Sequence, residues 1–316
     1  MASVHHQVVL ESDEHFGARV PPRAFAAFLS QMDVHLRHAV SMAFRGASRT
    51  AGRPPRWLAA ASDVRFVEHE GVDTTILHFE APAFGEAAPE LYEQHELWAT
   101  RPDPSFTGFE VFVDAVRDIR AGNAESERFD PVWLRRFAGF HRAFDGVFSG
   151  ARVEDVRAGD HAFVPLDKPT VETAQRLGAD APPARQVRIV GSLDMVRIST
   201  GSFALRLDDG SEIRGLLTRG ESLDLFSRLV GTRVAVGGRA VFRPSGGFLR
   251  IDAENLLPAE GEETFFSRVP APLAGGTRPS RWVRPQTGST GINAIYGKWP
   301  GDETEEELLA QLEAMK

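Results

Sequence analysis

At 316 residues with 42% hydrophobic side chains, the chain is long enough for about two domains and apolar enough to bury a sizeable core. Its formal charge of −8 gives it no overall bias toward nucleic acid, and the absence of cysteine excludes disulfides, thiolate metal sites and cysteine nucleophiles. No apolar run approaches the roughly 20 residues needed to cross a bilayer, and MASVHHQVVLESDEHFGARV has neither a basic start nor an apolar stretch of the secretory kind, so a cytoplasmic location is expected.

From the N-terminus, VVL (8–10) reads as a short strand. The following PPRAFAAFLSQMDVHLRHAVSMAF begins with Pro, which a first helical turn tolerates. Its residues Phe25, Phe28, Leu29, Met32, Leu36, Val40 and Ala43 recur at helical spacing and predict a helix over about 22–44. VRFVEHEGVDTTILHFEA predicts a hairpin, two runs of β-formers around a Gly-containing turn. PAFGEAAPELYEQHELWATRPDPSFTG is read as mostly irregular. FEVFVDAVRDIRAG is a helix stopped by Gly122, and DPVWLRRFAGFHRAFDGVF is one more, with Asp130 as N-cap and Pro131 in the first turn. Residues 1–165 are thus expected to form an α+β domain, and 166–184 a linker with one short helix after Pro169.

Residues 185–256 change character. They carry 11 basic side chains, all Arg, against 8 acidic ones, and none of the ten histidines, which all lie at or before His161. QVRIVGSLDMVRI places Val187, Ile189, Gly191, Leu193 and Met195 on one face. SFALRL, a DDG turn (208–210) and EIRGLL continue as strands, with Phe203, Leu205, Leu207, Ile213 and Leu217 inward. ESLDLFSRLVG predicts a short helix ended by Gly231. TRVAVGGRAVFR and FLRIDAENL, joined by PSGG, complete five strands. Three strands, a helix and two strands in this order resemble the OB-fold, a small Greek-key barrel, and Gly191 in the long first strand suits the bend such a barrel needs.

After Leu257 the core-forming pattern stops, and a Pro-, Gly- and polar-rich stretch follows. Near the end, Thr304 and Glu307 form a capping box ahead of Leu308, Leu309, Leu312 and Met315, which predicts a helix over 305–315. So short a helix is marginal alone and needs a partner surface, on this chain or another. Trp282, Tyr296 and Trp299 stand where little else is apolar, RPSRWVR (278–284) is basic and aromatic, and residues 302–316 carry six acids against one Lys. Trp, Tyr and Arg are the residue types that dominate interface hot spots.

Candidate chemistry is sparse elsewhere. His35 and His38 share a helix face near Asp33, while His69, His78, Glu80, His95 and Glu96 lie in or near the hairpin, but no spacing marks a ligand set and no HExxH is present. GxSxG, GxxxxGK[ST] and GxGxxG are absent, TGSTG (287–291) precedes no strand–helix unit, and Asp208–Asp209 occupies a turn that Asp favours without catalysis. No metal, cofactor or catalytic residue is therefore expected. In the barrel, Arg206 and Arg214 face outward on the second and third strands, and Arg233 and Arg239 share a face of the fourth. They make single-stranded nucleic acid an alternative ligand, although no Tyr or Trp stands in 185–256 to stack bases.

The run GINAIYGKWPGDETEEELLAQLE resembles the C-terminal tails of antitoxin-type proteins encoded beside PIN-domain ribonuclease toxins. That resemblance implies a tail that wraps a toxin and blocks its acidic, metal-dependent site. It implies Ile295, Tyr296, Trp299, Leu308, Leu309 and Leu312 as anchors, with Lys298, or Arg281 and Arg284 flanking Trp282, facing the toxin carboxylates. The chain departs from the usual antitoxin in its length and in lacking a small DNA-binding dimerisation domain at its N-terminus. The expectation is a non-enzymatic, protein-binding chain: an α+β domain (1–165), a linker (166–184), an OB-like barrel (185–256) and an interaction tail (257–316). Nucleic-acid binding by the barrel and an enzyme housed in 1–165 are its alternatives.

Overall fold

The structure, a computed structural model, describes residues 3–49, 54–93, 101–144, 146–159, 162–217, 228–259 and 266–273. The chain divides into two units, 1–277 and 278–316, and all the elements below belong to the first. Residues 221–227 of the helix expected over 221–231, the tail helix over 305–315 and every tail anchor fall outside the described residues, and 228–231 form a turn. No helix among the described residues is long and apolar enough to cross a membrane.

The long first helix, α1 (Pro22–Arg45), forms as its pattern predicts. Pro opens it, and Phe28, Met32, Leu36, Ala39 and Val40 bury one stripe. Gly46 ends it in the left-handed region at φ 70°, where a side chain would be strained, and returns its N–H to the Met42 carbonyl. The hairpin also forms, as β2 (Arg65–Glu70) and β3 (Thr75–Pro82), and the first strand is longer than its VVL core, running as β1 from Ser3 to Glu11. After α2 (Arg56–Ala61) and the single turn α3 (Phe84–Ala87), helix α4 (Gly108–Arg120) starts at a full capping box. The Thr107 hydroxyl accepts the Phe109 N–H at 3.1 Å, and the Glu110 carboxylate accepts the Thr107 N–H at 2.7 Å.

Two expectations need correcting. The helix predicted after Asp130 is two, α5 (Pro131–Phe137) and α6 (Phe140–Ala143), broken at Gly139. A Cβ on Gly139 would stand 2.4 Å from Gln31 Oε1, so the break sits where α1 crosses closely. The stretch 166–184 does hold the helix expected after Pro169, but that helix is longer and packs into the domain core instead of standing in a linker. β4 (Gly150–Glu154) and β5 (Phe163–Asp167) add two strands to the first sheet. Asp167 then caps α7 (Lys168–Asp180) by accepting the Thr170 N–H at 3.0 Å. Val171, Ala174 and Leu177 of that helix bury in the domain core.

The first sheet has the order β2-β3-β1-β4-β5 with every pairing antiparallel. Its one face packs on the helices: Val8, Leu77, Phe79, Val153 and Leu166 meet Phe28, Phe112, Trp133, Phe137 and Phe140 in a single aromatic-rich core. The other face is polar, with Arg152 against Glu11 at 2.8 Å and His78 against Glu70 at 3.1 Å.

The second sheet is a closed five-stranded barrel of β6 (Arg185–Arg197), β7 (Ser202–Arg206), β8 (Glu212–Leu217), β9 (Arg233–Phe242) and β10 (Phe248–Pro258). Its order is β10-β8-β7-β6-β9, closed by antiparallel β9–β10, with β8–β10 the one parallel pairing. Gly191 is required where β6 bends against β7, since a Cβ there would lie 2.6 Å from the Arg206 carbonyl oxygen. Alternation along β6 does not hold to its end. A register shift between Leu193 and Met195 reverses the faces, so Val196 packs against the barrel core and Met195 turns outward.

A cleft between the helical layer and the barrel

A buried ion pair joins the barrel to the α+β domain. Asp130, foreseen only as an N-cap, is 1% exposed and accepts the Trp133 N–H at 2.9 Å, the Ser48 hydroxyl at 2.7 Å and the Ser48 N–H at 3.1 Å. Arg250 of β10 reaches it at 3.2 Å and donates to the Gly46 carbonyl at 2.9 Å. Burial alone would push the Asp130 carboxyl up. Arg250, the Trp133 N–H and the two Ser48 donors outweigh it and hold the group below the usual carboxylate range. Around this pair, the Trp57 indole N–H donates to the Ser199 carbonyl at 3.0 Å and Arg45 Nε to the Thr200 carbonyl at 3.1 Å.

Beside the junction a cleft of about 620 Å³ opens between the C-terminal end of α1, one face of α4 and residues 123–128 on one side, and β6, β7, β8 and β10 on the other. Met42, Phe44, Met195, Phe203 and Leu216 supply its apolar wall. Its rim is charged but internally matched. Asp118 holds Arg128 at 2.8 Å, Asp114 holds Arg157 at 2.5 Å, Glu127 holds Arg214 at 3.2 Å, and Arg243 bridges Glu125 and Glu127. Deeper in, the Arg45 guanidinium is held below its ordinary value by burial and then by the charge of Arg250, against the pull of Asp252.

The four barrel arginines singled out from sequence are not gathered into one basic surface. Arg206 on β7 pairs with Asp194 at 3.0 Å, and Arg214 on β8 meets Glu127 at the cleft rim. Arg233 on β9 makes two bonds to Asp208, at 2.6 and 2.8 Å. Arg239, also on β9, is exposed and lies in register between Gln186 and Asp252. Phe203, Phe242 and Leu205 are all buried, so these outward positions present no aromatic ring.

The histidines separate likewise. His35 and His38 share a face as expected, but that face is the core. The Trp133 indole N–H donates to His35 Nδ1 at 2.7 Å, and His38 Nδ1 meets the Ser48 carbonyl at 2.6 Å. His35 Nδ1 is thus an acceptor, which requires a neutral ring, and burial followed by the charges of His38 and Arg136 lowers its pKa to about 3. His6 stacks on Phe109 and bonds the Thr107 hydroxyl at 3.0 Å, with its pKa lowered to about 4, chiefly by burial. Asp33 points away to Arg37, His69 bonds the Ala18 carbonyl, and Glu80 lies 3.7 Å from His5. His95 and Glu96 fall outside the described residues. Among the described residues no three His, Asp or Glu side chains are placed to hold a metal ion.

Sequence reading missed Arg45, Trp57 and Arg250, which build the junction and the cleft. Arg45 carried only the signal of a cation in a helix's last turn, and Arg250 only that of an alternating strand. Comparison of the chain with protein-family models, with curated proteins and with solved structures gave no match.

Proposed function

We propose that the chain is a non-enzymatic protein-binding protein: the α+β domain and barrel form a folded body that carries an interaction segment, residues 278–316. The partner is a protein, and the tail's resemblance to antitoxin tails makes a PIN-type ribonuclease toxin the first one to test. The observation that carries this reading is the division of the chain at 277/278. The sequence beyond that boundary holds Arg281, Trp282, Arg284, Ile295, Tyr296, Lys298, Trp299, Leu308, Leu309 and Leu312. Burying two Trp, one Tyr and a leucine stripe on a partner would offset the entropy of ordering the segment.

The barrel is read as an OB-type module. Its meander β6–β7–β8, its parallel β8–β10 closure and its β9–β6 closure support that label, as does the length of chain between β8 and β9. The pairing of Arg206, Arg214 and Arg233 with carboxylates favours protein scaffolding over a groove for single-stranded nucleic acid. Asp194, Glu127 and Asp208 beside these arginines would repel a phosphate backbone.

Truncation after residue 277 tests the reading. The body should keep its melting temperature to within about 2 °C, while affinity purification should lose the partners that the full chain retains. With a purified PIN-type ribonuclease, the full chain should inhibit RNA cleavage, and Trp299→Ala should weaken inhibition by at least about tenfold. Recovery of the same partners by residues 1–277 would refute the proposal.

A further inference from the structure

The described residues contain three places where a sheet could end in free backbone, and two are closed. The barrel has no edge because β9 pairs with β10. In the first sheet, β5 is an edge strand but carries Pro165 at its centre, which offers no N–H to an added strand. That leaves β2, hydrogen-bonded only to β3, with five of its six residues exposed and no proline or lysine. Phe66 is 37% and Val67 49% exposed, and Val72 in the adjoining turn is 87% exposed.

The sequence of this edge, Arg65-Phe66-Val67-Glu68-His69-Glu70, is complementary to itself when reversed. Antiparallel pairing of two copies about the midpoint between Val67 and Glu68 sets Arg65 opposite Glu70 and Phe66 opposite His69, each twice by symmetry. The faces agree. Arg65 is opposite Glu80 and Glu70 opposite Ile76 in the register with β3, both on the polar side of the sheet. Phe66 and His69 pair with Phe79 and Leu77 on the helix side, where both rings already touch Phe25. Both charges are themselves exposed in their present pairs, Arg65 with Asp63 at 2.9 Å and Glu70 with His78 at 3.1 Å, so re-pairing across an interface costs little. The bulge at Val67 limits the run of continuous ladder.

We propose that the β2 edge is a homodimerisation surface, on which a second copy of this chain adds its own β2 antiparallel to form a continuous ten-stranded sheet. The contact is small, so dissociation is expected in the micromolar range. Sedimentation of the full chain between about 1 and 200 µM should show exchange between 34.7 kDa and twice that mass. Arg65→Glu and Glu70→Arg should each weaken association by at least about tenfold, through like charges directly opposed. The double variant, with both charges exchanged, should restore it. Circular dichroism and melting temperature confirm that each variant folds. A chain that remains monomeric at 200 µM overturns the proposal. So does a dimer that either single variant leaves intact, or one that the double variant fails to restore.

Discussion

The two halves of the folded body treat buried polarity in opposite ways. The α+β domain places His6, His35, His38, Thr107, Glu110 and Asp130 inside its core and gives each at least one hydrogen-bond partner. The barrel's interior, from Ile189 and Leu193 to Val236 and Ile251, is apolar. Its buried polar side chains, Arg197, Thr200 and Arg250, all lie toward the α+β domain. One half is thus specified by a polar network within its packing, and the other by strand alternation and closure. The difference predicts where each half is fragile: the domain to loss of a partner group or to uptake of protons, the barrel to loss of its attachment.

The largest effect should come from cutting that attachment. Asp130→Ala leaves Arg250, 7% exposed, facing a hole where its carboxylate stood, and removes the cap of α5 along with both Ser48 bonds. Removing one member of a buried pair costs about 3–5 kcal/mol. Replacing both, as Asp130→Asn with Arg250→Met, should cost less than the sum of the single changes by more than about 1 kcal/mol. Urea unfolding of the four proteins measures the coupling. Additive losses would mean that the domain and barrel do not lean on each other through this pair.

Protons should come next, and they should act on one half only. His35 has its folded pKa lowered to about 3 and His6 to about 4, from 6.5 in the unfolded chain. Between those values the unfolded state binds more protons, so stability is full above about pH 6.5 and falls as pH drops through the window. For His35 alone the loss by pH 5 is on the order of 2 kcal/mol. The barrel has no histidine. Hydrogen exchange at pH 7 and pH 5 should therefore show amides of α1 and β1 losing protection. If β9 and β10 lose it equally, the two halves unfold as one cooperative unit, and the contrast belongs to composition rather than to stability.

How much of this was legible in the sequence follows the same division. The barrel's five strands could be read because alternation is local, and the reversal after Leu193 escaped, like the register shifts of β10, since a bulge is set by pairing with the neighbouring strand. In the α+β domain, α1 was legible from its stripe. β4 and β5 went unread, because five-residue strands, one holding Pro165, give too little periodicity, and without them the helix expected after Pro169 was assigned to a linker rather than to the domain. The split of α5 from α6 falls at Gly139, beside Gln31 of α1, a neighbour that local sequence does not connect to it. The cleft was illegible for a like reason: Arg250 and Asp130 each carried an ordinary local meaning, and only the docking of two independently patterned halves brings them together.

The smallest effect concerns the barrel's outer surface, where the two halves should differ most plainly. Arg206 and Asp194 form an exposed pair at 3.0 Å, open to solvent on both sides. Such pairs are worth at most about 1 kcal/mol, because water screens the charges and two flexible side chains must be held in place. Arg206→Gln should then shift stability by less than that and leave the pH 7 to pH 5 difference unchanged. Raising the salt concentration should erase even this effect, since screening removes what the pair contributes. A loss as large as that of Asp130→Ala would place a structural ion pair on the barrel's exterior. The barrel would then be held, like the α+β domain, by specific polar contacts, and closure and packing alone would no longer account for it.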